Sequence, residues 1–234
     1  MADPALKGSH LWIPAAFVLV AGLLLYMAAD RGGAAWLLVW PAGNCAAVAG
    51  SYFGLGAGVF GKRPDGTRSP AVVVWMLPFF LVNYATWRLQ VLISPEDCVN
   101  EVVPGLFVGR RPRPGEYPPA LDLVVDLLAE FPKPAYHPAE AAYLCLPTVD
   151  GFVPEPAPYA DAVGEAAKAA RVFVHCANGH GRSAAFAAAL LVRKGAAADV
   201  DGAMALVRNA RPACRLTPAQ RVAAAVAGSY VRMT

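Results

Sequence analysis

The first 95 residues are short of charge. They hold six Lys/Arg and three Asp/Glu, together with all five tryptophans of the 234-residue chain. So few polar groups do not clothe an ordinary soluble domain. Paired cysteines are missing too. Cys45, Cys98, Cys145, Cys176 and Cys214 are odd in number and widely spaced, with no Cys-x-x-Cys and no Cys/His cluster. This argues against a disulfide framework and against zinc, and neither metal nor cofactor is expected. A reducing compartment suits free thiols. A cationic surplus is lacking in residues 96–234, where fourteen basic side chains face fourteen acidic ones, so nucleic acid is not an expected partner. There is no internal repeat.

What fills the first part is apolar chain. Residues 11–29 and 34–60 carry no charge, and residues 70–92 are interrupted by Asn83 and Arg88. A bilayer core of about 30 Å needs about 20 apolar residues, so each run is a candidate span. Trp12, Trp36 and Trp87 stand near run ends, where indole prefers the interface. A cleaved signal peptide is the simpler alternative for 11–29, but the run is long and two more follow it. Gly50, Gly54 and Gly58 recur every four residues, which on a helix makes one smooth face; generic small-residue packing explains this better than a dedicated dimer interface.

The loop 61–69 carries Lys62, Arg63 and Arg68, which places it on the cytoplasmic side by the positive-inside rule. Three full spans would then put the second part outside. Two would return it to the cytoplasm, and the third run, with Pro78, Asn83 and Arg88, is the poorest span. The expected organisation is a membrane domain of two to three helices over 1–95 and a soluble domain over 96–234, in an integral protein of the cell inner or plasma membrane facing the cytoplasm.

The second part alternates short β-rich runs (105–108, 121–128, 142–146, 172–175) with helical patterns (159–170, 183–194, 203–209, 218–232). Thr217-Pro218 is a cap followed by proline at the first helical position. Strands separated by helices imply an α/β domain.

Chemistry concentrates in residues 171–183, RVFVHCANGHGRS. A strand runs into Cys-x-x-Gly-x-x-Arg-Ser and then into an alanine-rich helix. A loop between a strand end and a helix start turns backbone N–H groups inward, and the helix dipole adds positive potential, so the loop is an anion site. Gly179 and Gly181 permit the tight turn. The planar fork of Arg182 matches two phosphate oxygens, which lysine does not reproduce. The same field favours the thiolate of Cys176, the form that attacks phosphorus. Ser183 can donate a hydrogen bond to the sulfur as it leaves in a second step.

HCANGHGRS resembles the His-Cys-x5-Arg-Ser signature of the cysteine-dependent phosphatases, and looks most like their dual-specificity branch. Residues 103–109 (VPGLFVG) are similar to the opening strand of that family, 122–128 to its second strand, and 210–220 (ARPACRLTPAQ) to the arginine-proline segment before its last helix. The apolar start and the Gly-His-Gly-Arg loop also resemble a membrane-attached subgroup. The resemblance spans about residues 96–232. It implies a sheet of four to five strands flanked by helices on both faces, and hydrolysis of phosphate monoesters through a phosphocysteine. The loop residues His175, Ala177, Asn178, Gly179, His180 and Gly181 would cradle the phosphate.

The family needs a general acid, and Asp150 is the candidate. It follows the run 142–146 on a loop, 26 positions before Cys176, which is closer than is usual in the family. A turn-forming Asp-Gly pair is the alternative reading, and Asp161 the fallback. His175 is expected to buttress the loop. His180 is either a solvated loop residue or added positive charge for a second phosphate. Arg110, Arg111 and Arg113 read as a solvated face, with anionic lipid contact as the alternative. Cys145 reads as a buried strand residue, with redox partnership to Cys176 as the alternative. Rhodanese-type sulfurtransferases also put a cysteine on an anion loop, but do not require Arg-Ser at this spacing. Three functions follow: a dual-specificity or tyrosine protein phosphatase, a phospholipid headgroup phosphatase of phosphoinositide or phosphatidylglycerophosphate type, and an inactive phosphate-binding scaffold. The substrate is accordingly a phosphoprotein or a phospholipid.

Overall fold

The computed structural model describes residues 12–230. The chain divides into two compact units, one spanning residues up to Ser94 with Ala129–Pro132, the other Pro95–Leu128 with the chain from Lys133 onward.

The first unit is helical. Helix α1 (Trp12–Arg31) is 20 residues long, with a mean hydropathy of 2.1 in its most apolar window, and it is the one helix among the described residues that is long and apolar enough to cross a membrane. Its large side chains face outward, as do many elsewhere in the unit; Trp12 is 70% and Leu19 73% exposed. Such a surface suits lipid better than water.

The other two apolar runs, each a candidate span, do not form single rods. The second comprises a 3-10 turn (Gly33–Leu38), α2 (Val39–Gly50), a π-turn (Ser51–Leu55) and a further 3-10 turn (Gly56–Phe60). Gly54 has φ 121°, outside the helical region, so Gly50, Gly54 and Gly58 do not share one helical face.

The third run breaks at Met76 into α3 (Pro70–Trp75) and α4 (Leu77–Ile93). Asn44 of α2 explains how an apolar setting tolerates that break. Its Nδ2 donates to the Trp75 carbonyl at 2.8 Å, and its Oδ1 accepts from the Phe79 N–H at 3.2 Å. Those are the two backbone groups an unbroken helix would have paired with each other, and Trp40 Nε1 adds a second donor to the same carbonyl at 2.7 Å.

The second unit holds a five-stranded sheet in the order β1-β2-β5-β3-β4. Its strands are β1 (Val99–Val103), β2 (Leu106–Arg110), β3 (Leu123–Leu128), β4 (Ala142–Thr148) and β5 (Val172–Cys176). Only β1 runs antiparallel, in a hairpin with β2; the other pairings are parallel. The turn Pro104-Gly105 therefore splits the stretch expected to be one opening strand. Central β5 is buried throughout, which its unbroken apolar sequence Val-Phe-Val anticipates for a parallel strand covered on both sides.

Helices α5 (Pro156–Lys168), α6 (Arg182–Arg193) and α8 (Pro218–Ser229) pack on one another, and α5 and α6 lie against the sheet. The alanines of α6 let it approach β5 closely, and nearly all of its length is buried. Helix α7 (Val200–Ala210) is capped by Asp199, and α8 starts at the expected Thr217-Pro218, with a reciprocal Thr217/Gln220 capping box. The opposite sheet face carries Phe107, Val124 and Phe173. It is closed by Leu121, Ala141 and Tyr117 from connecting chain. No helix forms in the connections after β2 and β3, where Pro112, Pro114, Pro118, Pro119, Pro132, Pro134 and Pro138 withhold the N–H groups a helix needs.

Candidate active site

Cys176 is the last residue of β5, and α6 begins at Arg182. The five residues between them form a loop whose carbonyls are all drawn outward. Ala177 O accepts from the Arg111 N–H, His180 O from the Arg215 N–H, and Gly181 O from the Ala185 N–H. Asn178 O accepts from Arg211 Nη2, and Gly179 O from Arg211 Nε and the Cys214 thiol. In a planar trans peptide the next N–H points opposite to the carbonyl, so outward carbonyls leave the N–H groups of 178–182 facing the loop interior. One of these contacts is direct: the Gly179 N–H lies 3.3 Å from Cys176 Sγ. Gly179 has φ 78°, and a Cβ there would meet the Gly109 carbonyl carbon at 2.5 Å, so the loop passes where only glycine fits.

Cys176 is 3% exposed, and its Sγ lies 3.4 Å from the hydroxyl of fully buried Ser183. Arg182 is 4% exposed; its Nη1 donates to the Thr148 carbonyl at 2.8 Å. Its Nε is 3.2 Å from Asp150 Oδ1. Asp150 thus sits in an Asp-Gly turn, as the alternative reading had it, and also reaches Arg182, its side chain 67% exposed. Asp161 lies on α5.

His175 is fully buried. Strand alternation turns it to the face opposite Cys176, where its ring centroid is 5.4 Å from that of Phe173. Its neighbour in register on β3 is buried Asp126, which accepts from the Leu128 N–H and the Tyr143 hydroxyl. Burial and the Asp126 carboxylate push the Tyr143 hydroxyl up, keeping it a donor. Cys145 is on that same opposite face, beside Asp126 in register, so its side chain and that of Cys176 leave the sheet in opposite directions.

Two basic groups take positions that sequence reasoning did not anticipate. His180 is not simply solvated: its Nε2 lies 2.6 Å from Glu96 Oε2. Arg110 and Arg111 are each 7% exposed and so form no solvated face. Glu116 pairs with both Arg110 and Arg113. Burial alone would raise the Glu116 carboxyl, but the two guanidinium groups hold it well below the usual carboxylate range.

Arg211, Cys214, Glu96 and Thr148 also escaped the sequence reading. Arg211 lies in the ARPACR segment, where nothing local marks that its guanidinium reaches back to the loop. Burial pushes the Cys214 thiol up to about 12, which keeps it protonated as the donor to Gly179 O. No metal-ligating group of three or more His/Cys/Asp/Glu exists among the described residues.

No family model and no curated protein matches the chain. Among solved structures, human DUSP28 is similar over 55% of this chain and 94% of its own, at 26% identity and a TM-score of 0.45. PTPMT1 in complex with PI(5)P is similar over 56% and 95%, at 20% identity and a TM-score of 0.48. Tk-PTP in the active form is similar over 57% and 98%, at 20% identity and a TM-score of 0.49. With a Cys-x5-Arg-Ser loop closing the central strand of a five-stranded α/β sheet, the chain resembles the dual-specificity branch of the cysteine-dependent phosphatases.

Proposed function

We propose that this protein is a membrane-anchored phosphatase that hydrolyses phosphate monoesters through a phosphocysteine on Cys176. The observation that carries this reading is the convergence on one sulfur of an inward backbone N–H, the Ser183 hydroxyl and the start of α6 with Arg182. In the first step the Cys176 thiolate attacks phosphorus. The S–P bond forms as the ester P–O bond breaks, and Asp150 gives its proton to the leaving oxygen. In the second, water attacks phosphorus, Asp150 takes its proton, and the sulfur leaves as a thiolate hydrogen-bonded by Ser183. The loop N–H groups and Arg182 hold the equatorial oxygens, where charge spreads in the transition state.

Asp150→Ala tests the acid. The variant is expected to slow alkyl phosphates about 10²-fold and aryl phosphates much less, because a good leaving group needs little protonation. Equal slowing of both esters would assign the acid elsewhere.

The substrate we favour is a phosphoprotein, on phosphotyrosine and on phosphoserine or phosphothreonine. Near the loop, Arg110 and Arg113 share the carboxylate of Glu116 and His180 is engaged by Glu96, so a second phosphate would have to compete with a carboxylate for each of these groups. A phospholipid headgroup bearing one phosphate is the second reading, favoured by α1, which would hold the site beside the bilayer at high effective concentration. An inactive scaffold fits less well, since Cys176, Arg182, Ser183 and Asp150 are all retained. A thiolate nucleophile has to stay reduced, which favours a cytoplasmic active site in an inner or plasma membrane. The discriminating experiment uses the full chain in vesicles and compares turnover of a phosphotyrosine peptide with that of anionic phospholipid phosphates. Preference for the peptide is expected; preference for the lipid would replace the first reading with the second.

A further inference from the structure

We infer that Glu96 is a positioning residue of the active site, which sets the shape of the phosphate loop by acting through Arg211 and His180. The inference rests on the phosphatase reading and adds to it a residue far from the loop in sequence.

Arg211 is 2% exposed, and its donors are divided between two targets. Nε and Nη2 hold the Gly179 and Asn178 carbonyls at 3.0 Å each. Nη1 holds the Asp97 carbonyl at 2.9 Å and Asn100 Oδ1 at 2.7 Å, while Nη2 also reaches Glu96 Oε2 at 2.9 Å. The guanidinium thus joins the chain at 96–100 to the back of the loop. Its plane is rigid, so wherever Glu96, Asp97 and Asn100 place it, the two loop carbonyls follow. The carbonyl of Asn178 fixes the direction of the Gly179 N–H, which is the group lying against Cys176 Sγ.

Glu96 has a second hold. The oxygen that accepts from Arg211 also lies 2.6 Å from His180 Nε2. Only Gly179 separates Asn178 from His180, so one carboxylate grips the loop on both sides of its glycine. Glycine is the most pliable residue in the loop, and a turn built on it keeps one shape only if its flanks are held. A buried guanidinium also calls for a counter-charge, and Glu96 is the carboxylate in contact with Arg211.

The test uses the full chain in detergent with para-nitrophenyl phosphate as substrate and orthovanadate as a probe of the loop. Glu96→Ala is expected to raise both KM and the vanadate inhibition constant about 10-fold, the size of a lost charged hydrogen bond. The ratio of aryl to alkyl ester rates should stay unchanged, unlike that of Asp150→Ala. Loss of folded protein alone would lower kcat and leave the vanadate constant where it was.

Glu96→Gln keeps an acceptor oxygen and should recover most of the loss. Because Glu96 acts through His180, Glu96→Ala combined with His180→Ala should be little worse than Glu96→Ala by itself. Additive effects, or an unchanged vanadate constant in folded Glu96→Ala, would overturn the inference. If Glu96→Ala does not fold, Glu96→Asp, which keeps the charge but shortens its reach to Arg211 and His180, is measured instead, and a vanadate constant unchanged in that folded variant would overturn the inference. Inactivity of the unmodified chain on every phosphate monoester would instead remove the phosphatase reading itself.

Discussion

Replacing Cys176 by serine is expected to reduce turnover at least about 10⁴-fold while leaving inorganic phosphate bound nearly as well. The size follows from the chemistry of the nucleophile. A thiolate at this position faces the Gly179 N–H and the Ser183 hydroxyl, both of which stabilise negative charge on sulfur. A serine hydroxyl would have to lose its proton to attack, and neither His175 nor His180 stands ready as a base: His175 points to the other sheet face and His180 is held by Glu96. The anion site itself is built from backbone and from Arg182, so it survives the change. Quenching the reaction with labelled substrate should trap protein-bound phosphate on the unmodified chain and none on the variant. Turnover near that of the unmodified chain, or equal trapping on both, would remove the cysteine mechanism.

Arg182→Lys is expected to cost about 10²–10³-fold in kcat/KM, the usual loss when one preorganised donor to a developing charge is removed. Lysine keeps the charge, so a purely coulombic role would survive the change. The geometry argues otherwise. Arg182 is 4% exposed, with Nη1 anchored on the Thr148 carbonyl, so the guanidinium plane has one orientation relative to the loop. An ammonium group cannot hold that carbonyl and also present a flat pair of donors to two phosphate oxygens. The vanadate inhibition constant should rise in parallel. Activity within a few-fold of the unmodified chain would mean that charge alone is needed and that the fork has no role. Asp150 offers an internal contrast, because its loss should depend on the leaving group and that of Arg182 should not.

Much of the candidate active site was legible in one stretch of thirteen residues, because its parts are local. A strand end, a turn and a helix start adjoin in the chain, and the spacing from Cys176 to Arg182 and Ser183 follows from them. The strands and helices of the second unit were legible for the same reason; the 142–146 and 172–175 patterns lie on β4 and β5, and the 218–232 pattern begins with α8, which ends at Ser229, while 231 and 232 lie outside the described residues. The first unit was read less well. Apolar content signals a membrane-compatible segment, but does not reveal that Gly54 leaves the helical region or that α3 and α4 separate at Met76. Those breaks depend on partners elsewhere, as Asn44 shows by pairing the backbone groups freed between Trp75 and Phe79.

By itself, then, the sequence determined the side chains available to this protein: a cysteine on a strand-to-helix turn, a planar cation six residues later, and an apolar N-terminal region. The tertiary structure decided what holds that chemistry in place. Arg211 and Cys214 come from beyond α7, Arg111 from the end of β2, and Glu96 from the chain before β1. Arg211, Cys214 and Arg111 meet at the back of the loop because its outward-turned carbonyls must find donors in a buried setting, and Glu96 joins them as the acceptor that holds Arg211. Their positions in the chain carry no mark of that need, since hydrogen-bond partners brought together by folding share no spacing that a sequence pattern can record.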